Sequence, residues 1–111
     1  MAYDEALAER IRELLEGEPR LSEKKMFGGL AFLVGGNMAV AASGQGGILV
    51  RVDPAESDKL VETTNAQVAV MRDRPMPGWL RVAPEHLSNK RQLGHWVRRG
   101  VGYAQSLPAK A

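Results

Sequence analysis

Two short apolar runs, Leu30–Val34 and Met38–Ala42, are separated only by Gly35-Gly36-Asn37, and no other part of the chain constrains the fold as much. Glycine and asparagine tolerate positive φ, so the segment predicts a β-hairpin with strands covered on at least one face. Lys24-Lys25-Met26-Phe27-Gly28-Gly29 leads into it. There the glycines predict a tight turn and close backbone approach, with Met26 and Phe27 packing into the core. A second glycine-rich turn, Gly44–Gly47, precedes Ile48–Val52, in which Ile48, Val50 and Val52 alternate with Leu49 and Arg51. These three strands read as an antiparallel meander. Leu21–Met26 is a weaker strand whose Glu23-Lys24-Lys25 run suits a sheet edge.

Helical periodicity frames the strands. Residues 3–16 place Leu7, Ile11, Leu14 and Leu15 on one stripe, with Asp4 and Glu5 in the first turn. Gly17 and Pro19 end that helix. Asp53-Pro54 with Glu56 is a capping-box start for a helix to about Thr63. Val68–Met71 reads as a strand and Arg72–Pro75 as a turn, and a strand follows over Met76–Val82, with Pro77 placing its start at an edge or outside the ladder. Ser88 is the expected N-cap of a last helix along Leu93, Trp96/Val97, Gly100/Val101, Ala104 and Leu107. Gly100 and Gly102 predict a kink or a close helix–sheet contact. The order α-β-β-β-(β)-α-β-β-α describes a two-layer α+β domain, a largely antiparallel sheet packed against helices.

At 111 residues the chain fits one domain, 1–111, with one core. It has no cysteine, which excludes disulfides and thiolate chemistry. The N-terminus lacks a basic start followed by an apolar run, and Leu30–Val34 is far too short to span a bilayer, so the expected location is cytoplasmic, with no membrane partner. Charge is uneven: residues 1–60 carry seven Lys/Arg against ten Asp/Glu, and residues 61–111 carry eight against three. That balance prompts a search for an acidic partner near the C-terminal end.

The helix followed by Lys24-Lys25-Met26-Phe27-Gly28-Gly29, the Gly36-Asn37 hairpin, Leu49-Val50-Arg51-Val52, Pro75-Met76-Pro77-Gly78-Trp79 and a last helix bearing Trp96 together resemble the TfoX N-terminal domain family. The resemblance covers nearly the whole chain. It implies a small α+β fold also seen among secretion-chaperone-like structures. The family takes its name from a regulator of competence for DNA uptake, in which a C-terminal helical domain follows. This sequence ends at Ala111 without such a domain, so the resemblance implies an isolated module. It supplies no catalytic residues and implies a regulatory or interaction role.

The residues agree with a non-enzymatic reading. His86 and His95 lack partners at metal-ligand spacing, and no serine has a nucleophile context, so no catalytic residue, metal or cofactor is expected. Gly28 and Gly29 can present amides to an anion, without GxGxxG or GxxxxGK[ST] around them. Lys25 and Arg51, with Lys24, are expected to approach across neighbouring strands, and with Gly28 and Gly29 they form a candidate anion or ligand site. A salt bridge to Glu23, Asp53 or Glu56 is the competing expectation. On the last helix Arg91, His95, Arg98 and Arg99 share part of one face and form the candidate partner site. The expected partner is a protein, including a second copy of the chain. Nucleic acid is the alternative, contacted through this basic helix, and it is less favoured because no helix-turn-helix, zinc finger or aromatic platform is present.

Overall fold

The helices begin where side-chain caps allow. Asp4 Oδ1 accepts from the Leu7 N–H at 3.1 Å, and Asp53 Oδ1 from the Ala55 N–H at 2.9 Å with Pro54 in the first turn. Asn89 Oδ1 accepts from the Gln92 N–H at 2.8 Å, so the last cap is Asn89 and not Ser88, which lies one residue before the cap. The computed structural model describes residues 3–26 and 28–108. Its elements are α1 Glu5–Leu14, β1 Leu21–Met26, β2 Gly29–Val34, β3 Asn37–Ala42, β4 Ile48–Arg51, α2 Pro54–Thr63, β5 Gln67–Met71, β6 Arg74–Val82, a 3₁₀ turn Pro84–His86 and α3 Lys90–Ser106. Phe27, expected in the core, lies outside the described residues.

All six strands form one antiparallel sheet in the order β1-β2-β3-β4-β6-β5. The architecture is therefore the α+β arrangement expected, and β1 is an edge strand. Gly28 turns with φ +75°, and a Cβ on Gly29 would collide with the Ala42 carbonyl oxygen. This pair is thus fixed by backbone geometry. β6 departs from the expectation. It begins at Arg74, runs inside the sheet, and contains both Pro75 and Pro77. Pro77-Gly78-Trp79 bulges where the register with β5 shifts between Val68 and Ala69, so Pro77 falls where the ladder is interrupted. The turn before it is only Arg72-Asp73, both with positive φ (51° and 63°), the geometry that joins a tight hairpin.

Every helix packs on the same face. α3 lies over β3 and β4, α1 against α3 and β3, and α2 over β6 and β5. The main core fills this layer: Leu7 and Ile11 from α1, Leu60 from α2, Leu93 and Val97 from α3, against Phe32, Val40, Ile48, Val50, Leu80 and Val82. Gly100 is the point of closest approach. A Cβ there would overlap the Ala39 carbonyl oxygen and lie 3.0 Å from Val50 Cγ2. α3 stays continuous through Gly100, so of the two expectations the close contact is the one realised.

Candidate interaction surface

Among the described residues no helix lies on the opposite face of the sheet. Its apolar residues form a second, separate cluster: Ala31, Met38, Ala41, Leu49 and Ala69, with Met26, Leu33 and Trp79 half-buried beside them. Strand alternation and register assign the rest of this face. One row crosses all six strands: Lys24, Ala31, Ala41, Leu49, Arg81, Gln67. Ala31, Ala41 and Leu49 form its floor, with a cation on either side. Lys24 and Arg81 lie four strand spacings apart, about 19 Å.

Further cations lie on β4 and β6. Arg51 pairs with Trp79 in register at the end of β4, and its guanidinium lies 5.1 Å from the Trp79 ring centre and 5.6 Å from that of Tyr103 on α3, so its charge sits at the end of the sheet and not over the open face. These distances are in the cation–π range. Arg74 stands two residues before Met76, the partner of Ala69. Arg81 Nη1 donates to Ser43 Oγ at 3.1 Å, which holds the guanidinium along the sheet surface. Ala31 and Leu49 are 0% and 5% exposed although no helix lies over them. Neighbouring long side chains therefore cover them, with their charged ends toward water. Among the described strand residues this face carries three cations, Lys24, Arg74 and Arg81, and no carboxylate; Glu85 of the 3₁₀ turn lines a pocket with Gln67 and Arg81 at its rim.

The expected site of Lys25 with Arg51 is not assembled. β2 and β3 separate β1 from β4, about 14 Å of sheet. Lys25 also pairs with Leu30 in the helix-side row, whereas Arg51 belongs to the open-face row. The expected approach across neighbouring strands is forbidden by the strand order. The salt bridge considered for this group is also elsewhere. Glu23 receives two hydrogen bonds from Arg12, at 2.7 and 2.9 Å, and Arg12 pairs with Glu9 as well. The Arg12 side-chain bonds hold the Glu23 carboxyl below its usual range, and Glu23 first and Glu9 second push the Arg12 guanidinium upward.

On α3, Arg91, His95 and Arg98 are exposed and Arg99 is half-buried. The four span about 100° of the helix. Arg98 sits beside Gly94 in a cleft of about 490 Å³ between α1 and α3, where Glu16 and Glu18 also lie. Arg99 turns to the other flank, 5.9 Å from the Trp96 ring centre. There a groove of about 330 Å³ brings His86 and His95 together with Asn65, Gln92 and Trp96. Sequence spacing did not reveal this meeting of the two histidines, because the 3₁₀ turn and the end of α2 create it. No group of three or more His, Cys, Asp or Glu among the described residues is placed to hold a metal. No buried side-chain polar atom among them lacks a hydrogen-bond partner, so none is left aimed at a missing ligand.

The open face itself was missed by sequence reading. Its sign was present in Leu49-Val50-Arg51-Val52 and Trp79-Leu80-Arg81-Val82, which alternate alike, with arginine on the side away from Val50, Val52, Leu80 and Val82. No helix among the described residues is long and apolar enough to cross a membrane. The family model of the TfoX N-terminal domain matches residues 13–104, a span that contains β1 through β6 and most of α3. No curated protein matches the chain.

Proposed function

Because the chain belongs to the TfoX N-terminal domain family, we propose that it is a non-enzymatic regulatory domain that docks an acidic, partly apolar protein segment on the open face of its sheet. One observation carries this reading: the row Lys24-Ala31-Ala41-Leu49-Arg81-Gln67, an Ala-Ala-Leu floor between two cations, with no carboxylate among the described strand residues of that face. Once the side chains that cover the floor move aside, its small residues leave room for a partner's larger apolar side chains. The cations set the sign of what flanks them and steer its approach. Trp79, half-buried at the rim beside Arg51, supplies an aromatic anchor of the kind that dominates interface energetics.

A protein segment fits better than single-stranded nucleic acid. Sheets that read nucleic acid stack successive bases on several aromatics. Trp79 is the only aromatic among the described residues of this face. The nucleic-acid alternative rests on the exposed Arg91, His95 and Arg98 of α3, where phosphate contacts would be steeply salt-dependent.

The test uses a synthetic peptide alternating Glu with Leu and Phe, and a mixed-sequence single-stranded oligonucleotide as its competitor in kind. Amide shifts on peptide addition are expected along β1, β3, β4 and β6. The double variant Lys24→Glu/Arg81→Glu is expected to abolish them with the fold intact. Shifts confined to α3, or peptide binding indifferent to that double variant, would overturn the assignment. Oligonucleotide binding lost in Arg91→Ala/Arg98→Ala would favour the alternative.

A further inference from the structure

The two edges of the sheet are built differently. β1 exposes Glu23, Lys24 and Lys25, and charges of this kind oppose pairing with another strand. β5, at the other edge, reads Gln67-Val68-Ala69-Val70-Met71, with no charge and no proline. Val70 is 54% exposed. The other large hydrophobic exposed among the described residues is Val61, at 37%, on the helix that packs over β5 and β6. Both exposed valines therefore belong to the β5–α2 end of the molecule. The bulge residues lie on β6, which leaves the outer rim of β5 continuous from Gln67 to Met71.

We infer that two copies of this chain associate by antiparallel pairing of β5 with β5, which joins two six-stranded sheets into one. The strand suits itself as a partner. Pairing about Ala69 sets Val70 of each copy opposite Val68 of the second, so an exposed valine meets a half-buried one twice. The same register sets Arg72 opposite Ala66 of the second copy, just past the end of that copy's α2. The last turn of α2 contains Glu62 and no basic residue, so no side chain of that turn compensates its negative end. Arg72 supplies the missing positive charge from across the two-fold axis. Pairing of β5 with β1 would be head-to-tail and open-ended, and the charges of β1 oppose it. An antiparallel pair of this kind has its two-fold axis normal to the sheet. The helices of both copies then lie on one side, and the two open faces merge on the other. The inference stands on the edge alone and does not depend on what docks on that face.

Sedimentation velocity of the full chain, without peptide or nucleic acid, tests it over roughly 5–500 µM, a span that brackets micromolar association. A monomer–dimer equilibrium is expected. Val70→Lys places a charge in the paired strand and is expected to weaken the dimer at least roughly tenfold. Because Val70 is exposed, the circular dichroism of that variant is expected to stay native. Arg72→Glu and Glu62→Arg are each expected to weaken the dimer, and the double variant to restore it; this pair decides the question if Val70→Lys misfolds. A chain monomeric throughout the range, or a dimer insensitive to Val70→Lys and to both charge reversals, would overturn the inference.

Discussion

One sheet presents two faces made by the same strands, and they are buried by different means. On the helix side large aliphatic residues and Phe32 are sealed by three helices. On the open side a smaller cluster, rich in alanine, is flanked by the half-buried Met26, Leu33 and Trp79. The first face holds the fold, and the second is the one proposed above to receive a partner. An antiparallel sheet permits this because alternation lets each strand serve both faces independently.

The sharpest way to break the comparison is to delete the same kind of atoms on each side. Phe32→Ala removes the largest fully buried side chain and is expected to cost about 3–5 kcal/mol, a large part of a small domain's stability. Leu49→Ala on the open face opens a site that water can fill, so only the transfer part is lost, about 2 kcal/mol. Urea denaturation measures both. Equal costs would mean that the two faces are buried alike.

Two glycines of α3 sharpen the helix side. Gly100→Ala forces a methyl group against the Ala39 carbonyl and is expected to destabilise by about 1–3 kcal/mol despite alanine's better helix propensity. Gly102 is exposed, with nothing within 4 Å of an added Cβ, so Gly102→Ala is expected to stabilise by about 0.5–1 kcal/mol. Opposite shifts in melting temperature are the expected result, and a shift of the same sign for both would remove Gly100 as the point of closest contact.

The smallest effect is electrostatic. Glu23 lies in the helix-side row of β1, and its carboxyl is held below its usual range by hydrogen bonds from Arg12. The unfolded chain therefore binds the proton more readily than the folded one. The pair's contribution is fully present above the ordinary carboxylate value and is lost as pH falls through the lowered one. Both side chains are about a third exposed, so solvent screening limits the contribution to about 0.2–1 kcal/mol. Glu23→Gln is expected to lower the melting temperature slightly near neutral pH, with the difference vanishing in acid. A difference that persists in acid would assign the effect to packing.

The fold was largely legible because its punctuation is local. Gly35-Gly36-Asn37 marks the central hairpin, Asp53-Pro54 marks α2, and three-to-four spacing marks α1 and α3. The interior position of β6 was hidden because Pro77 forbids a ladder bond, and only the β5 register shift shows how the sheet accommodates it. Surface assignments failed where they needed strand order. Lys25 and Arg51 read as neighbours until two strands are placed between them, and Lys24 and Arg81 read as unrelated until register sets them in one row. Periodicity reports which way a side chain points on its own strand, and it contains nothing about which strands lie side by side.

The chain's two tryptophans place one reporter on each side of the sheet, Trp79 with the open-face cluster and Trp96 with the helix-side core. Titrating the Glu/Leu/Phe peptide into Trp96→Phe and Trp79→Phe, and following the emission of the remaining tryptophan, tests the account most directly. The account predicts a saturable change in Trp79 emission that weakens with added salt, and an unchanged Trp96. A saturable change in Trp96 with Trp79 silent would contradict it.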